Sequence, residues 1–349
     1  MKQTLFLHIG YHKTGTTSLQ SLLNQNAAAL REIGIYYPDT IGDGKRNYFH
    51  KHLQLFIDLK VAHDERGDIA APVRAMARRI LDSGSPAAIV SEESLAGLSE
   101  PVLDRLAELR EDFNVKVVAV LRRQDGFLQS FYHQSIHYQG ETRDFPNFIR
   151  DSPWQRIHYD TAMTKWADRF GAENIHVLSY DLCDNGKSVI PSVLKILLDG
   201  KSADFIDISR SWNTSLPAIC YETLKYVNRS GAPEPERRTV YTALRGYVKS
   251  QAFAETRLVR KALNQAYLTE EISQHVANTF AESNARTSAL FFGGANPFPG
   301  MPQPTQVGVT LADLTATTVS FMPKDMIGLM SYLLVNGKPR NPALGRGGS

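Results

Sequence analysis

Cysteine is nearly absent from this chain: among 349 residues only Cys183 and Cys220 occur, and neither has a second cysteine or a zinc-type spacing nearby. That excludes a disulfide-stapled or zinc-ribbon scaffold and predicts a reducing compartment. Long apolar runs are missing too. Nothing approaches the roughly 18 residues a membrane helix requires, and Leu5–Ile9 is too short for a signal peptide, so a cytoplasmic protein with no transmembrane segment is expected. Charge of one sign is also scarce, since 39 Lys and Arg against 36 Asp and Glu leave a net +3 and a pI near 8.7. This mild basicity suits small anionic ligands and argues against a nucleic-acid partner. No internal repeat is visible, and the length is enough for a full buried core.

A further absence sits in the most informative stretch, Leu5–Leu23. The apolar run Leu5-Phe6-Leu7-His8-Ile9 reads as a buried strand, Gly10–Gly15 as a loop, and Leu19, Leu22 and Leu23 as the inward face of a helix. Such a strand–loop–helix ends on a helix N-terminus, where orphan N–H groups and the helix dipole attract phosphate or sulfate. Gly10-x-x-x-x-Gly15 has the glycine spacing of a nucleotide-phosphate loop, yet position 16, where that motif carries lysine, is Thr16; the lysine is instead Lys13, inside the loop. The Walker lysine and its Ser/Thr serve the β/γ-phosphates and Mg²⁺, so its loss predicts a phosphate-bearing donor of another geometry. Hydroxyls of Thr14, Thr16, Thr17 and Ser18 would add hydrogen bonds.

Lys13-Thr14-Gly15-Thr16-Thr17-Ser18 resembles the 5′-phosphosulfate loop of sulfotransferases that use 3′-phosphoadenosine-5′-phosphosulfate (PAPS). A second match lies further on. In that family a strand ends in Arg and a Ser follows eight residues later on the next helix, together holding the 3′-phosphate; Arg122 and Ser130 meet the spacing. The family often has Asp four residues after the Arg, whereas here Gly126 stands there and Asp125 one place earlier. The pattern Tyr159, Trp166, Phe170-Gly171, Asn174-Ile175, Val177 and Tyr180 resembles bacterial carbohydrate-type members. So does Ser211–Pro217, where an Asn-x-Ser-Leu turn starts a helix.

Taken in order, the chain alternates strands and helices. Gly34–Pro38 reads as a short extended segment, and residues 39–69 as polar, with Asn47–His52 a candidate acceptor wall or a solvated loop. Val73–Leu81 reads as a helix, Ala87–Ser91 as a strand running into Glu92-Glu93-Ser94, and Pro101–Phe113 as a helix. Val115–Leu121 is the clearest strand, followed by a helix through Phe127, Ser130 and Gln134. Residues 140–158 read as a loop because of Gly140, Pro146 and Pro153. A helix at Val189–Leu198 completes the sheet region. Helices are then predicted at Ser215–Asn228, Arg237–Lys249, Ala254–Leu263 and Thr269–Asn284, with a Pro-rich loop beyond. The expected fold is α/β, a three-layer sandwich around a central parallel sheet of the P-loop nucleoside-triphosphate-hydrolase type, with helical C-terminal additions. A single domain over 1–300 is expected, its sheet core in about 1–200 and its helical part in about 209–290, with 301–349 as an extension.

The resemblance implies transfer of a sulfuryl group from PAPS to a hydroxyl, less readily an amine, of a small-molecule or carbohydrate acceptor, leaving adenosine 3′,5′-bisphosphate and requiring no metal. Lys13 would stabilise the leaving group. Relatives place a catalytic Glu just after the second main strand in a Glu-Lys-Ser-like segment, so Glu92 is the expected base, with Glu93 where those relatives have Lys. The bland reading of that pair is a helix-start charge cluster. His12, His133 and His137 are secondary candidates, and His8 reads as a core histidine. Trp166 and Phe170 read as core, and Arg237, Arg238, Arg245 and Lys249 as a solvated face or a contact for an acidic acceptor. Two other functions stay open: a P-loop-type small-molecule or nucleotide kinase, and a non-catalytic nucleotide-binding scaffold.

Overall fold

Apolar side chains on both faces of a strand require cover on both sides, and that sets the architecture. In a computed structural model the described residues are 2–11, 13–38, 52–152, 154–184, 187, 189–201, 216–249 and 267–304. Their strands are β1 (Gln3–His8), β2 (Ile35–Tyr36), β3 (Ala87–Ser91), β4 (Phe113–Leu121) and β5 (Ile175–Ser179). They form one five-stranded sheet in the order β2-β3-β1-β4-β5, every pairing parallel. Parallel neighbours need crossover segments. These are supplied by α1 (Thr16–Gln25), α2 (Ala27–Glu32), α3 (Leu53–Asp64), α4 (Ala70–Asp82), α5 (Glu100–Ala107), α6 (Gln124–Gln134), α7 (Phe145–Arg150) and α8 (Tyr159–Phe170). The helix α9 (Val189–Leu197) follows the last strand.

The two-residue period of the strands separates the layers. Phe6, Ile89, Val118 and Val120 join Leu19, Leu22 and Leu23 of α1 and Val193, Leu194 and Leu197 of α9 in one buried cluster. Leu5, Leu7, Val117 and Ala119 are equally buried on the opposite face, where α8 packs on β4. Trp166 and Phe170 of α8 are core residues, stacked with ring centroids 5.3 Å apart. The expected α/β class with a helix-flanked parallel sheet is thus present.

The chain forms two compact units, one of Met1–Phe127, Pro153–Asn213 and Val276–Gln306, the other of Leu128–Ser152, Thr214–His275 and Val307–Ser349. The first holds the sheet. The second is helical, with α7, α10 (Ala218–Arg229), α11 (Glu234–Val248) and the start of α12 (Glu270–Thr279). A last helix, α13 (Ala281–Phe291), packs on α8 within the first unit. No helix among the described residues is long and apolar enough to cross a membrane.

Some boundaries differ from expectation for local reasons. The segment 140–158 contains α7, because Asp144 caps it by accepting from Asn147 N–H at 2.8 Å and Pro146 lies in the first turn, where its missing N–H costs nothing. The helix expected over Pro101–Phe113 stops at Ala107 and tightens into a 3₁₀ turn over Glu108–Glu111, and β4 begins at Phe113. The helix expected over Thr269–Asn284 breaks at Phe280, which is fully buried and stacks on Trp154 at 5.3 Å. The helix expected at Ala254–Leu263, the turn residues 211–215 and the tail beyond 304 lie outside the described residues.

One core position makes the fold pH-sensitive. His8, at the end of β1, is buried with Nδ1 2.8 Å from Ser91 Oγ. Burial pushes its pKa down from 6.5 to about 4, against the opposing field of Glu93. The folded state therefore takes up the proton less readily than the unfolded chain, so this contribution is complete above about pH 6.5 and is lost as pH falls toward 4. The loss is on the order of 3 kcal/mol. Urea midpoints between pH 7 and 4.5 should fall less steeply for His8→Asn than for the parent, and equal slopes would refute this.

Candidate functional site

The loop after β1 owes its shape to close approaches. A Cβ on Gly10 would stand 2.8 Å from Thr16 Cγ2 and 3.0 Å from His8 Nε2, so no larger residue fits. Lys13 takes φ 71° and Gly15 φ 88°, the left-handed region that costs an L side chain energy. Thr14 is buried and its hydroxyl donates to Tyr11 O at 2.6 Å. That hydroxyl, expected at the ligand, is used to close the loop on itself. Gly15 then serves as N-cap of α1 with no side-chain cap bond, so the first-turn N–H groups of Thr16, Thr17 and Ser18 keep the anion-attracting character of an uncapped terminus. A small pocket beside the loop is lined by His8, Thr14, Gly15, Thr16, Leu19 and Val189.

The end of β4 is tied to this loop. Arg122 Nη1 donates to Lys13 O at 2.9 Å, its guanidinium lies 4.8 Å from the centroid of the Tyr180 ring, and its Nε is buried with no hydrogen-bond partner among the described residues. Tyr159 Oη donates to Arg122 O at 2.6 Å. Burial lowers the Lys13 pKa, the adjacent Arg122 charge lowers it further, and Glu93 partly offsets both. Two cationic groups are thus held together beside a helix N-terminus, an arrangement that an anion would relieve. Gly126 lies close to the Arg122 side chain: a Cβ there would stand 3.3 Å from Arg122 Nε. Asp125 is turned to Arg123 instead, with Nε–Oδ1 at 2.7 Å and Nη2–Oδ2 at 2.5 Å. Ser130 is half-buried on α6 in the second unit.

The carboxylates follow β3 at the same sheet edge. Glu92 is fully buried, and its Oε1 accepts from Ser94 N–H at 3.0 Å, capping the short 3₁₀ turn Glu93–Gly97. Glu93 is also buried and accepts from Gln20 Nε2 at 3.0 Å; the same Nε2 lies 3.2 Å from Ser91 Oγ. Gln20, Ser91 and Glu93 with His8 form a polar network that sequence reading missed. Its one signal was a glutamine beside Leu19 on the inward face of α1.

Of the other histidines, His52 is structural. Its Nδ1 accepts from Ser91 N–H at 2.8 Å and Nε2 meets Pro38 O at 2.9 Å, which fixes the Nε2–H tautomer. In the second unit His133 stacks on Tyr221 with centroids 3.9 Å apart and His137 on Tyr241 at 3.4 Å. Neither His12 nor the segment 47–51 falls among the described residues. Among those residues no group of three or more His, Cys, Asp or Glu side chains is arranged to hold a metal ion.

No family model matches this chain, and no curated protein matches it. Among solved structures it is similar to a sulfotransferase from Alicyclobacillus acidocaldarius, with 19% identity over 70% of this chain and 96% of that one and a TM-score of 0.40, too loose a likeness to assign a family.

Proposed function

We propose that this chain is a sulfotransferase that moves a sulfuryl group from PAPS to a hydroxyl of an acceptor, in the first instance a carbohydrate or glycoconjugate. The observation that carries the reading is the tie between the Lys13 loop and Arg122, which joins an uncapped helix terminus, a lysine inside the loop and a guanidinium at the next strand end. The orphaned Arg122 Nε fits a phosphate-bearing ligand, because a buried guanidinium N–H without an acceptor is costly. PAPS when bound supplies an activated sulfuryl group and, at 3′, a second anion.

The chain's residues then divide the work. Backbone N–H groups of Thr16, Thr17 and Ser18 would hold the 5′ end, and Thr14 and Gly15 set the loop. Lys13 carries a positive charge to the oxygen on which charge develops as the sulfuryl group departs. Arg122 offers its fork to the 3′-phosphate. Glu92, at the carboxyl end of a parallel strand where such sheets bind ligands, is assigned the proton of the acceptor hydroxyl. Glu93, anchored by Gln20, supports Lys13 electrostatically. No step requires a metal.

Calorimetry tests the donor site. Adenosine 3′,5′-bisphosphate should bind without Mg²⁺ and far more tightly than ATP, and Arg122→Ala should abolish the preference for the 3′-phosphorylated nucleotide at a cost of about 2–3 kcal/mol. Tight, Mg²⁺-dependent ATP binding would mean a kinase.

The base is tested by turnover with labelled donor and a panel of acceptor alcohols. Glu92→Gln should retain nucleotide binding and lose about 10²–10⁴-fold in rate, with Glu93→Gln much milder. Equal losses would mean a shared structural role, and a severe loss in Glu93→Gln alone would reassign the base.

A further inference from the structure

Arg122 is held from two sides, and both holds lead back to the Lys13 loop. Its side chain reaches Lys13 O directly. Its own carbonyl is held by the Tyr159 hydroxyl at 2.6 Å, and the ring of Tyr159 meets that of Tyr11, a loop residue, edge-on with centroids 4.9 Å apart at 78°. The circuit closes because Tyr11 O accepts from Thr14 Oγ1 at 2.6 Å, one residue beyond Lys13. Every member is in the first unit.

The chemistry of the two tyrosines is unequal. Both are buried, and burial raises both pKa values, so both hydroxyls remain protonated donors. The Tyr159 hydroxyl is used on Arg122 O. The Tyr11 hydroxyl is buried with no hydrogen-bond partner among the described residues. The contribution of Tyr11 to the circuit is therefore its ring, whose edge-to-face contact favours a defined angle.

We propose that Tyr159 is a positioning residue that, braced by the Tyr11 ring, couples the loop around Lys13 to Arg122, so that the two ends of a doubly phosphorylated nucleotide are read as one unit. This rests on the nucleotide site proposed above. Without the Tyr159 hydroxyl the Arg122 backbone loses its restraint, and the guanidinium must be ordered by the ligand at the ligand's expense. The loss should fall on the 3′-phosphate and spare the 5′ end, which backbone N–H groups hold.

Calorimetry with adenosine 3′,5′-bisphosphate and with adenosine 5′-monophosphate reads this out as the factor by which the 3′-phosphate tightens binding. Tyr159→Phe should shrink that factor about three- to tenfold, the worth of one hydrogen bond, while affinity for the monophosphate stays within about twofold. Tyr11→Phe should leave the factor unchanged, and Tyr11→Leu should shrink it as Tyr159→Phe does. In an Arg122→Ala background Tyr159→Phe should have no further effect, a non-additivity that general destabilisation would not produce. Thermal melting confirms that each variant is folded. A parent protein that binds neither nucleotide overturns the functional reading and this inference with it. Normal parent binding overturns this inference alone if Tyr159→Phe keeps the full factor, weakens both nucleotides equally, or adds to Arg122→Ala.

Discussion

Three chain exits meet at one edge of the sheet because every strand pairing is parallel. With His8 opposite both Ser91 and Val118 in register, β1, β3 and β4 all end on the same side, and their next residues are the Lys13 loop, the Glu92–Glu93 pair and Arg122. Backbone bonds extend the pairing past the strands, from Ile9 N to Val118 O at 2.9 Å and from Glu92 N to His8 O at 3.0 Å. The Arg122–Lys13 tie is possible only on that frame. A slip of one residue would turn the core face of a strand outward and move its exit.

The frame carries an electrostatic cost. Burial lowers the Lys13 pKa, the Arg122 charge drawn up beside it lowers it further, and Glu93 is the nearby counter-charge. Glu93 is itself buried and depends on Gln20, which also serves Ser91, the partner of His8. The polar groups under the loop are therefore linked as a network through Gln20 Nε2, and removing one member leaves others unpaired in a medium where that costs more than in water. The same burial keeps His8 neutral.

Much of this was legible in the sequence where a signal is local. Leu5–Ile9 and Val115–Leu121 are apolar runs of strand length, and glycine and lysine spacing marks the loop. What escaped depends on partners distant in sequence. Gln20 meets Glu93 and Ser91 across more than seventy positions, and Tyr159 meets Arg122 across 37. For Thr14 the spacing alone leaves open whether the hydroxyl faces a ligand or the backbone; here it donates to Tyr11 O. At α7 a proline read as a loop marker because its first-turn tolerance shows only once the Asp144 cap is recognised. The acceptor was not legible at all, since side chains that meet a variable substrate follow no spacing rule.

In the proposed function the β1–α1 loop and the end of β4 together receive a nucleotide phosphorylated at both 3′ and 5′. A crystal structure of the chain with adenosine 3′,5′-bisphosphate tests it most directly. The account predicts the 5′-phosphate within hydrogen-bond distance of Lys13 Nζ and the first N–H groups of α1, and the 3′-phosphate on the Arg122 guanidinium. A nucleotide bound away from this edge, or one whose 3′-phosphate leaves Arg122 untouched, would contradict it.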